Sequence, residues 1–340
     1  MRHRIWVLAL SVLLILFLAV TTSAADKKFQ LRWGHYLAKG PFLEVEQNFA
    51  KAIEERTNGR VTIQITYAGG LGKGEELLTL AGRGAIDMGT AAPGYYANEL
   101  LFWKAYQMPF VFNSPREAIK VLIKSYETFP IYKQEMDKMN LHWLFQQPLG
   151  AYYFTGPSPA CDNVAGLKGK KIRSFGEYFP KGHMAIGAVP VNVFPVEVYE
   201  ALQRGVIDYS FLNAGNIQQY RLWEVAKYNC GPLTAFTGHN ICIGNPTWNK
   251  LPKDIQEIFD DQAKKTQQEY VDWVDEYEVQ AVKNITGQGG VFKAFPPDEL
   301  DKWRKAAPDF IAEWVKDMDA KGHGDTARQV AKLWREMTGK

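Results

Sequence analysis

From residue 29 onward the chain switches between two hydrophobic periods. Phe29-Gln30-Leu31-Arg32-Trp33 alternates as a strand with one buried face does. Phe42, Val45, Phe49 and Ile53 then recur at helical spacing, and Asn58-Gly59 ends that stripe. Val61, Ile63 and Ile65 return to the strand period. Gly69-Gly70-Leu71-Gly72 predicts a loop, Glu75–Arg83 a helix, and Ile86-Asp87-Met88-Gly89 the entry to another strand. Strand, helix, strand, helix, strand is the order of a mostly parallel α/β sheet.

The second half repeats this grammar. Ile172-Arg173-Ser174-Phe175 and Pro190-Val191-Asn192-Val193 read as short strands, Val196–Arg204 as a helix, and Gly205-Val206-Ile207-Asp208 as the turn into the next strand. That last turn echoes Gly84-Ala85-Ile86-Asp87, so two α/β lobes of related architecture are predicted. Pro252 opens a helical stretch to about Ile285, with Ile255, Ile258, Phe259, Ala263, Tyr270, Trp273, Val274 and Tyr277 on recurring faces. At about 1.5 Å per residue such a helix can cross both lobes. Gly287-Gln288-Gly289-Gly290 stops it, Phe292 and Phe295 predict a short strand, and Pro296-Pro297-Asp298 leads further helices. The expected organisation is residues 26–150 with about 239–275 as lobe one, 151–238 with about 276–320 as lobe two, and 321–340 as a helical tail.

The first 25 residues follow different rules. Arg2-His3-Arg4 is a basic head, Ile5 to Val20 carries no charge, and Thr21-Thr22-Ser23-Ala24-Ala25 is a run of small residues. This is the pattern of a cleaved secretory signal peptide, and it predicts a protein exported from the cytoplasm. The apolar run is short for a membrane span of about 20 residues.

Composition narrows the function classes. The 340 residues are 46% hydrophobic and 23% charged, which excludes long disorder and a multi-span membrane protein. The net charge of +3 shrinks once residues 1–25 are set aside, because Arg2 and Arg4 leave with no acid, so 38 basic residues face 37 acidic ones. Such a balance supplies no field for a polyanion, and nucleic acid is excluded as a partner. Cys161, Cys230 and Cys242 are an odd set without metal-knuckle spacing; an oxidising compartment permits one bridge, but buried, unpaired thiols are favoured.

Catalytic signatures are missing. Gly70-Leu71-Gly72-Lys73-Gly74-Glu75 fails the dinucleotide spacing at its last position and fails the P-loop pattern as well. There is no G-x-S-x-G or H-E-x-x-H, and His3, His35, His142, His183, His239 and His323 show no paired ligand spacing. The residues therefore point to no enzyme, no metal and no cofactor, with a secreted hydrolase as the weaker rival.

An ordered set of motifs carries a resemblance. Asn58-Gly59-Arg60-Val61, Gly70-Leu71-Gly72, Gly84-Ala85-Ile86-Asp87-Met88 and Met108-Pro109-Phe110-Val111-Phe112 come first. Gly166-Leu167-Lys168-Gly169-Lys170-Lys171-Ile172-Arg173 and Val196-Glu197-Val198-Tyr199-Glu200-Ala201-Leu202-Gln203-Arg204-Gly205-Val206-Ile207-Asp208 follow. Over about residues 29–320 the chain resembles the DctP-type periplasmic solute-binding subunits of TRAP (tripartite ATP-independent periplasmic) transporters. The resemblance implies an α/β, two-lobed periplasmic binding protein-like fold, type II-like, with a long helix spanning both lobes. It also implies a small carboxylate ligand, and the small and large permease subunits as partners. An ABC-type solute-binding protein is the nearest rival.

The resemblance places Arg173 where family members clamp a carboxylate. A guanidinium suits that task, since its two parallel donors match the two carboxylate oxygens. Tyr36 and Tyr95 fall in the first ligand-facing loops, Asn213 close to a carboxylate-binding Asn, and Phe194 near an apolar wall. Sialic-acid-type members carry a second Arg where this chain has Tyr152-Tyr153-Phe154, which makes Tyr153 and Phe154 further candidates. Loss of that cation, with aromatic rings around the loops, points to a monocarboxylate with an apolar or aromatic body.

Overall fold

The computed structural model describes residues 27–233 and 238–339, so the signal peptide expected at 1–25 lies outside the described residues. In chain order the strands are β1 (Phe29–His35), β2 (Val61–Thr66), β3 (Met88–Ala91), β4 (Leu141–Pro148), β5 (Tyr152–Gly156) and β6 (Lys171–Ser174). They continue as β7 (Val189–Asn192), β8 (Ser210–Asn213), β9 (Tyr228–Leu233), β10 (Gly238–Gly244) and β11 (Val291–Lys293).

The first lobe is built on the sheet β2-β1-β3-β10-β4. β1 runs parallel to β2 and β3, as the strand–helix alternation predicts. β10 is antiparallel to both β3 and β4, so the sheet is mixed and not mostly parallel. The reason is that β10 re-enters this lobe from the other one. All seven of its residues are buried, as in a central strand covered on both faces. Leu31 and Trp33 of β1 pack on Phe49 and Ile53 of the helix Glu44–Arg56, which realises the two periods read from the sequence.

The second lobe holds the sheet β11-β9-β5-β8 and the parallel pair β6-β7. A parallel bridge from Ile172 to Tyr209 joins the pair to the strand that becomes β8. The helix Lys253–Gly287, 35 residues and roughly 50 Å long, ties the lobes together. Its Ile255 and Phe259 enter the core of lobe one, while Ala281 and Ile285 join Val198, Leu202 and Ile207 in lobe two. The chain crosses between lobes between β4 and β5, between β9 and β10, and along this helix.

The C-terminal helices pack differently from the organisation expected of residues 276–340. In the helix Phe310–Ala320, Phe310 meets Tyr178 of lobe two at 5.9 Å, whereas the Trp314 indole donates to the Leu101 carbonyl of lobe one at 3.1 Å. The helix thus belongs to both lobes. The following helix, Gly324–Thr338, lies in the span expected as a helical tail and is packed down: Trp334 is buried, stacks on Trp314 at 5.6 Å and donates to Ser125 Oγ at 3.1 Å. The cysteine expectation is also corrected: Cys161 and Cys230 form a disulfide with Cα atoms 5.7 Å apart. Pairing of β5 with β9 sets Phe154 opposite Cys230 and brings the turn after β5 alongside. Cys242 stays a buried thiol, and burial pushes its ionisation up.

Candidate functional site

Parallel pairing with β7 holds β6 so that Arg173 faces Val191, and its backbone N–H reaches the Tyr209 carbonyl at 2.9 Å. The side chain is 1% exposed. Its Nε donates to the Val193 carbonyl at 3.0 Å and its Nη1 to the Phe211 carbonyl at 3.2 Å. The guanidinium lies 4.5 Å from the centre of the Phe175 ring. Among the described residues no carboxylate forms an ion pair with it. A guanidinium has five N–H donors; those two carbonyls and the Tyr95 hydroxyl leave two for other partners.

Lobe one closes the other side. Tyr36 follows β1 directly, and Tyr95 sits in the turn Pro93–Tyr96 that follows β3. Their rings meet edge to face at 5.6 Å, and Tyr95 also touches Phe175 at 5.4 Å and Phe194 at 5.3 Å across the lobe boundary. Gly74 allows this packing, since a Cβ there would stand 2.9 Å from the Tyr95 ring. Burial pushes Tyr95 up to about 12, with the Arg173 charge and a hydrogen bond from it pulling the other way. Burial also raises Tyr36 well above the usual phenol range.

Polar contacts lock the two lobes shut around this chamber. Lys104 Nζ of lobe one lies 2.7 Å from Glu177 Oε2 of lobe two. The Ala38 N–H donates to the Tyr220 hydroxyl at 3.2 Å, and Gln219 donates to the Ala38 carbonyl. The cleft mouth keeps a cavity of about 510 Å³ lined in part by Glu75, Tyr95, Phe175, Glu177 and Asn192.

Arg173, Tyr36, Tyr95 and Phe194 are therefore brought together, whereas three other candidates lie elsewhere. Asn213 ends β8 and caps the helix Ala214–Gln219, accepting from Asn216 N at 3.3 Å and Asn216 Nδ2 at 2.6 Å. Its own Nδ2 donates to Glu278 Oε1 at 3.0 Å, so the amide serves the hinge. Tyr153 points to the opposite face of β5, joins Val198 and Leu212 and meets Phe292 edge-on at 5.1 Å. Phe154 packs inside lobe two against Phe211 at 5.0 Å and Trp303 at 5.3 Å.

Sequence reasoning missed Tyr152, Phe175, Tyr220 and His239. Tyr152 and Tyr220 are close enough to act electrostatically on Tyr36. His239 Nε2 lies 2.5 Å from the Tyr36 hydroxyl, and its Nδ1 lies 2.8 Å from Gln147 Oε1. Burial, then His35 and Arg173, hold His239 well below its usual pKa and hence neutral. For Phe175 a signal existed, as it follows Arg173 by two residues and shares its face of the chain.

Two α/β lobes closed over a guanidinium without a counter-ion, with aromatic rings as walls, define a solute-binding protein of the two-lobed, type II-like class. The chain belongs to the bacterial extracellular solute-binding protein family 7 (DctP), whose model matches residues 38–317. It is 28% identical over 238 residues to an uncharacterized protein of Sinorhizobium fredii, a match covering 67% of this chain and 40% of that longer relative. In structure it is similar to DctP7 of Bordetella pertussis, an extracytoplasmic solute receptor binding pyroglutamic acid. The TM-score is 0.83 and the identity 18%, over 90% of this chain and 99% of that one. It is also similar to a marine metagenome TRAP solute-binding protein specific for aromatic acid ligands, in complex with metahydroxyphenylacetate. There the TM-score is 0.82 and the identity 19%, over 92% and 99% of the two chains. No helix of the described residues is long and apolar enough to cross a membrane.

Proposed function

We propose that this protein is the extracytoplasmic solute-binding subunit of a TRAP transporter. It captures a small monocarboxylate with an apolar or aromatic body by cleft closure and delivers it to the small and large membrane subunits. Residues 1–25 serve as the signal peptide that exports it to the periplasm. It binds and releases its ligand without transforming it.

The observation that carries this reading is the burial of Arg173 at 1% exposure with no ion-paired carboxylate among the described residues. A buried cation without a counter-charge is costly, and an anionic guest removes that cost. Enclosure strengthens the pair, because the same charges attract more strongly away from water. The ligand carboxylate takes the two guanidinium donors that Val193, Phe211 and Tyr95 leave free. Tyr36, Tyr95, Phe175 and Phe194 form the walls, giving apolar area and ring edges to the ligand body. Closure is favoured by ligand because only the shut form presents Arg173 and the lobe-one rings together. The ligands of the two similar structures, pyroglutamic acid and metahydroxyphenylacetate, support a cyclic monocarboxylate.

A thermal-shift screen of the mature protein over aromatic monocarboxylates, aliphatic monocarboxylates, dicarboxylates, 2-oxo acids and sugar acids tests the proposal. A ligand present at a hundredfold excess over its Kd adds about 2.7 kcal/mol of stability. The largest shifts are expected from aromatic or cyclic monocarboxylates. If no carboxylate raises the midpoint, the reading is wrong; if dicarboxylates or sugar acids lead, its ligand class is.

A further inference from the structure

The chamber has a second polarity besides that of Arg173, and it follows from a chain of hydrogen bonds behind Tyr36. Gln147 Nε2 donates to the Phe42 carbonyl at 2.9 Å, which fixes the orientation of the amide. Gln147 Oε1 is thereby turned to His239 Nδ1 at 2.8 Å, and an amide oxygen can only accept. The proton of His239 is therefore on Nδ1. A neutral imidazole carries one N–H, and the buried His239 is held neutral, so its Nε2 offers a lone pair. The Tyr36 hydroxyl at 2.5 Å donates to that lone pair. Buried Tyr36 keeps its single proton, and that proton is committed away from the chamber.

The Tyr36 oxygen, close enough to Arg173 to feel its charge, consequently has only lone pairs left to offer a guest. The guanidinium donates and never accepts, so the two groups present opposite requirements to one guest. We infer that the ligand carries, besides its carboxylate, a hydrogen-bond donor received by Tyr36 Oη, a hydroxyl or a ring or amide N–H, and that the chain Tyr36–His239–Gln147 selects for it. Acids of the same shape that carry an ether, an oxo group or no polar group there are rejected, because the Tyr36 oxygen is left buried without its partner. This inference rests on the reading of Arg173 as the carboxylate clamp.

Calorimetry on the mature protein with matched acids tests it. The pairs are 3-hydroxyphenylacetate against 3-methoxyphenylacetate, and mandelate against phenylglyoxylate. In at least one pair the hydroxyl acid is expected to bind on the order of tenfold tighter or better, the loss that follows when a buried acceptor goes unmet. Tyr36→Phe removes the acceptor and is expected to bring that ratio close to one. His239→Phe leaves the Tyr36 hydroxyl free to donate, and the preference is expected to move toward the methoxy or oxo acid. A merely structural role for His239 would weaken both members of a pair alike. Equal binding within both pairs, or a ratio that survives Tyr36→Phe, overturns the inference while leaving the clamp in place. Absence of binding by all four acids, or affinities that Arg173→Ala does not change, overturns the clamp and the inference together.

Discussion

Arg173 in the cleft and Glu278 in the hinge are both ionisable side chains drawn out of water, the first fully and the second in part, and the protein treats them in opposite ways. Glu278 stands on the helix Lys253–Gly287 and accepts from Asn213 Nδ2 at 3.0 Å, Ala214 N at 3.0 Å and Gly215 N at 3.1 Å. These donors come from the start of the helix Ala214–Gln219, where a negative charge is favoured. The β4–β5 crossing fits around it only because residue 150 is glycine; a Cβ there would stand 2.0 Å from the Glu278 carboxyl carbon. Arg173 has two neutral carbonyls and spare donors instead. One strand serves both, since β8 offers the Phe211 carbonyl to Arg173 and the Asn213 amide to Glu278. The difference separates a charge whose partners are all built in from one whose partner has to arrive. Burial alone does not mark a binding site; burial with unspent hydrogen-bonding capacity does.

The largest effect that sharpens this contrast is expected at Arg173. Arg173→Ala should weaken binding of the cognate acid by about 2–5 kcal/mol, the range for truncating one partner of a buried charge pair. The unliganded protein should keep its melting temperature or gain, because a cation without a counter-charge has been removed. Arg173→Lys should also fail substantially, since a point charge cannot replace the planar fork. Calorimetry and differential scanning together check both halves. A melting temperature that falls as binding falls would make Arg173 another Glu278, and the contrast would be lost.

Glu278→Ala is expected to act the other way. It leaves the Asn213 amide and two backbone N–H groups unmet in the interior, a cost of about 1–3 kcal/mol in denaturant unfolding. Affinity measured on the folded protein should change far less. The loss should be partly restored by Glu278→Gln, whose amide oxygen still accepts.

The pH dependence of stability is a smaller test of the same idea. Burial pushes Glu278 up to about 7 and Glu135 up to about 8, with backbone N–H donors pulling each back. Between pH 8 and about 6.5 the folded protein binds protons that unfolded carboxyls have already released. Stability should therefore rise as the pH falls through that window. His183, pushed down to about 3 by burial and by Arg173, and His239, also lowered, have the opposite sign. Below about 6.5 the unfolded histidines take up protons that the folded ones refuse, so the rise is opposed and the curve turns over. Glu278→Gln should flatten the limb above pH 6.5, and Arg173→Ala should leave that limb in place.

Much of the scaffold was legible in the hydrophobic periods. The β1–helix–β2 unit and the 35-residue helix obey single periods over many residues, and each has one clear buried face. Tyr36 and Tyr95 were within reach because each lies in a loop directly after a strand. Arg173 was not, from residues alone, since Lys170-Lys171 before it reads as a solvated run; the ordered family motifs singled it out. β5 explains the Tyr152 error. All five of its residues are buried, so alternation carries no sign of which face meets the chamber, and the sequence points to Tyr153 and Phe154 in place of Tyr152. His239 was invisible for another reason. Its place beside Gln147 depends on the antiparallel register of β10 with β4, and its contact with Tyr36 spans 203 residues. The Cys161–Cys230 bridge was hidden by the odd cysteine count and a separation of 69 residues.

The smallest effect concerns a charge pair intermediate between the two extremes, with both partners built in but on different lobes. Lys104 is almost fully buried, with a side chain 5% exposed, whereas Glu177 keeps 32%. Burial opposes the Glu177 charge, but Lys104 at 2.7 Å and Lys181 at 3.2 Å outweigh it and lower its pKa. Such a pair contributes nothing to either lobe alone and favours only their closure. Lys104→Met should therefore leave the melting temperature of the unliganded protein nearly unchanged and weaken ligand binding by about 1 kcal/mol, discounted for the solvent that still reaches Glu177. The loss should fall on the dissociation rate, because opening releases the ligand and closure is what the pair favours. Glu177→Gln should cost a similar amount, and adding it to Lys104→Met should cost little more, as expected of two residues that act through each other. Raising the salt concentration should speed release from the parent protein and do so less in the double variant. Equal salt dependence in both would remove the pair from the closing contacts and leave the enclosure of Arg173 to the aromatic rings of Tyr95, Phe175 and Phe194.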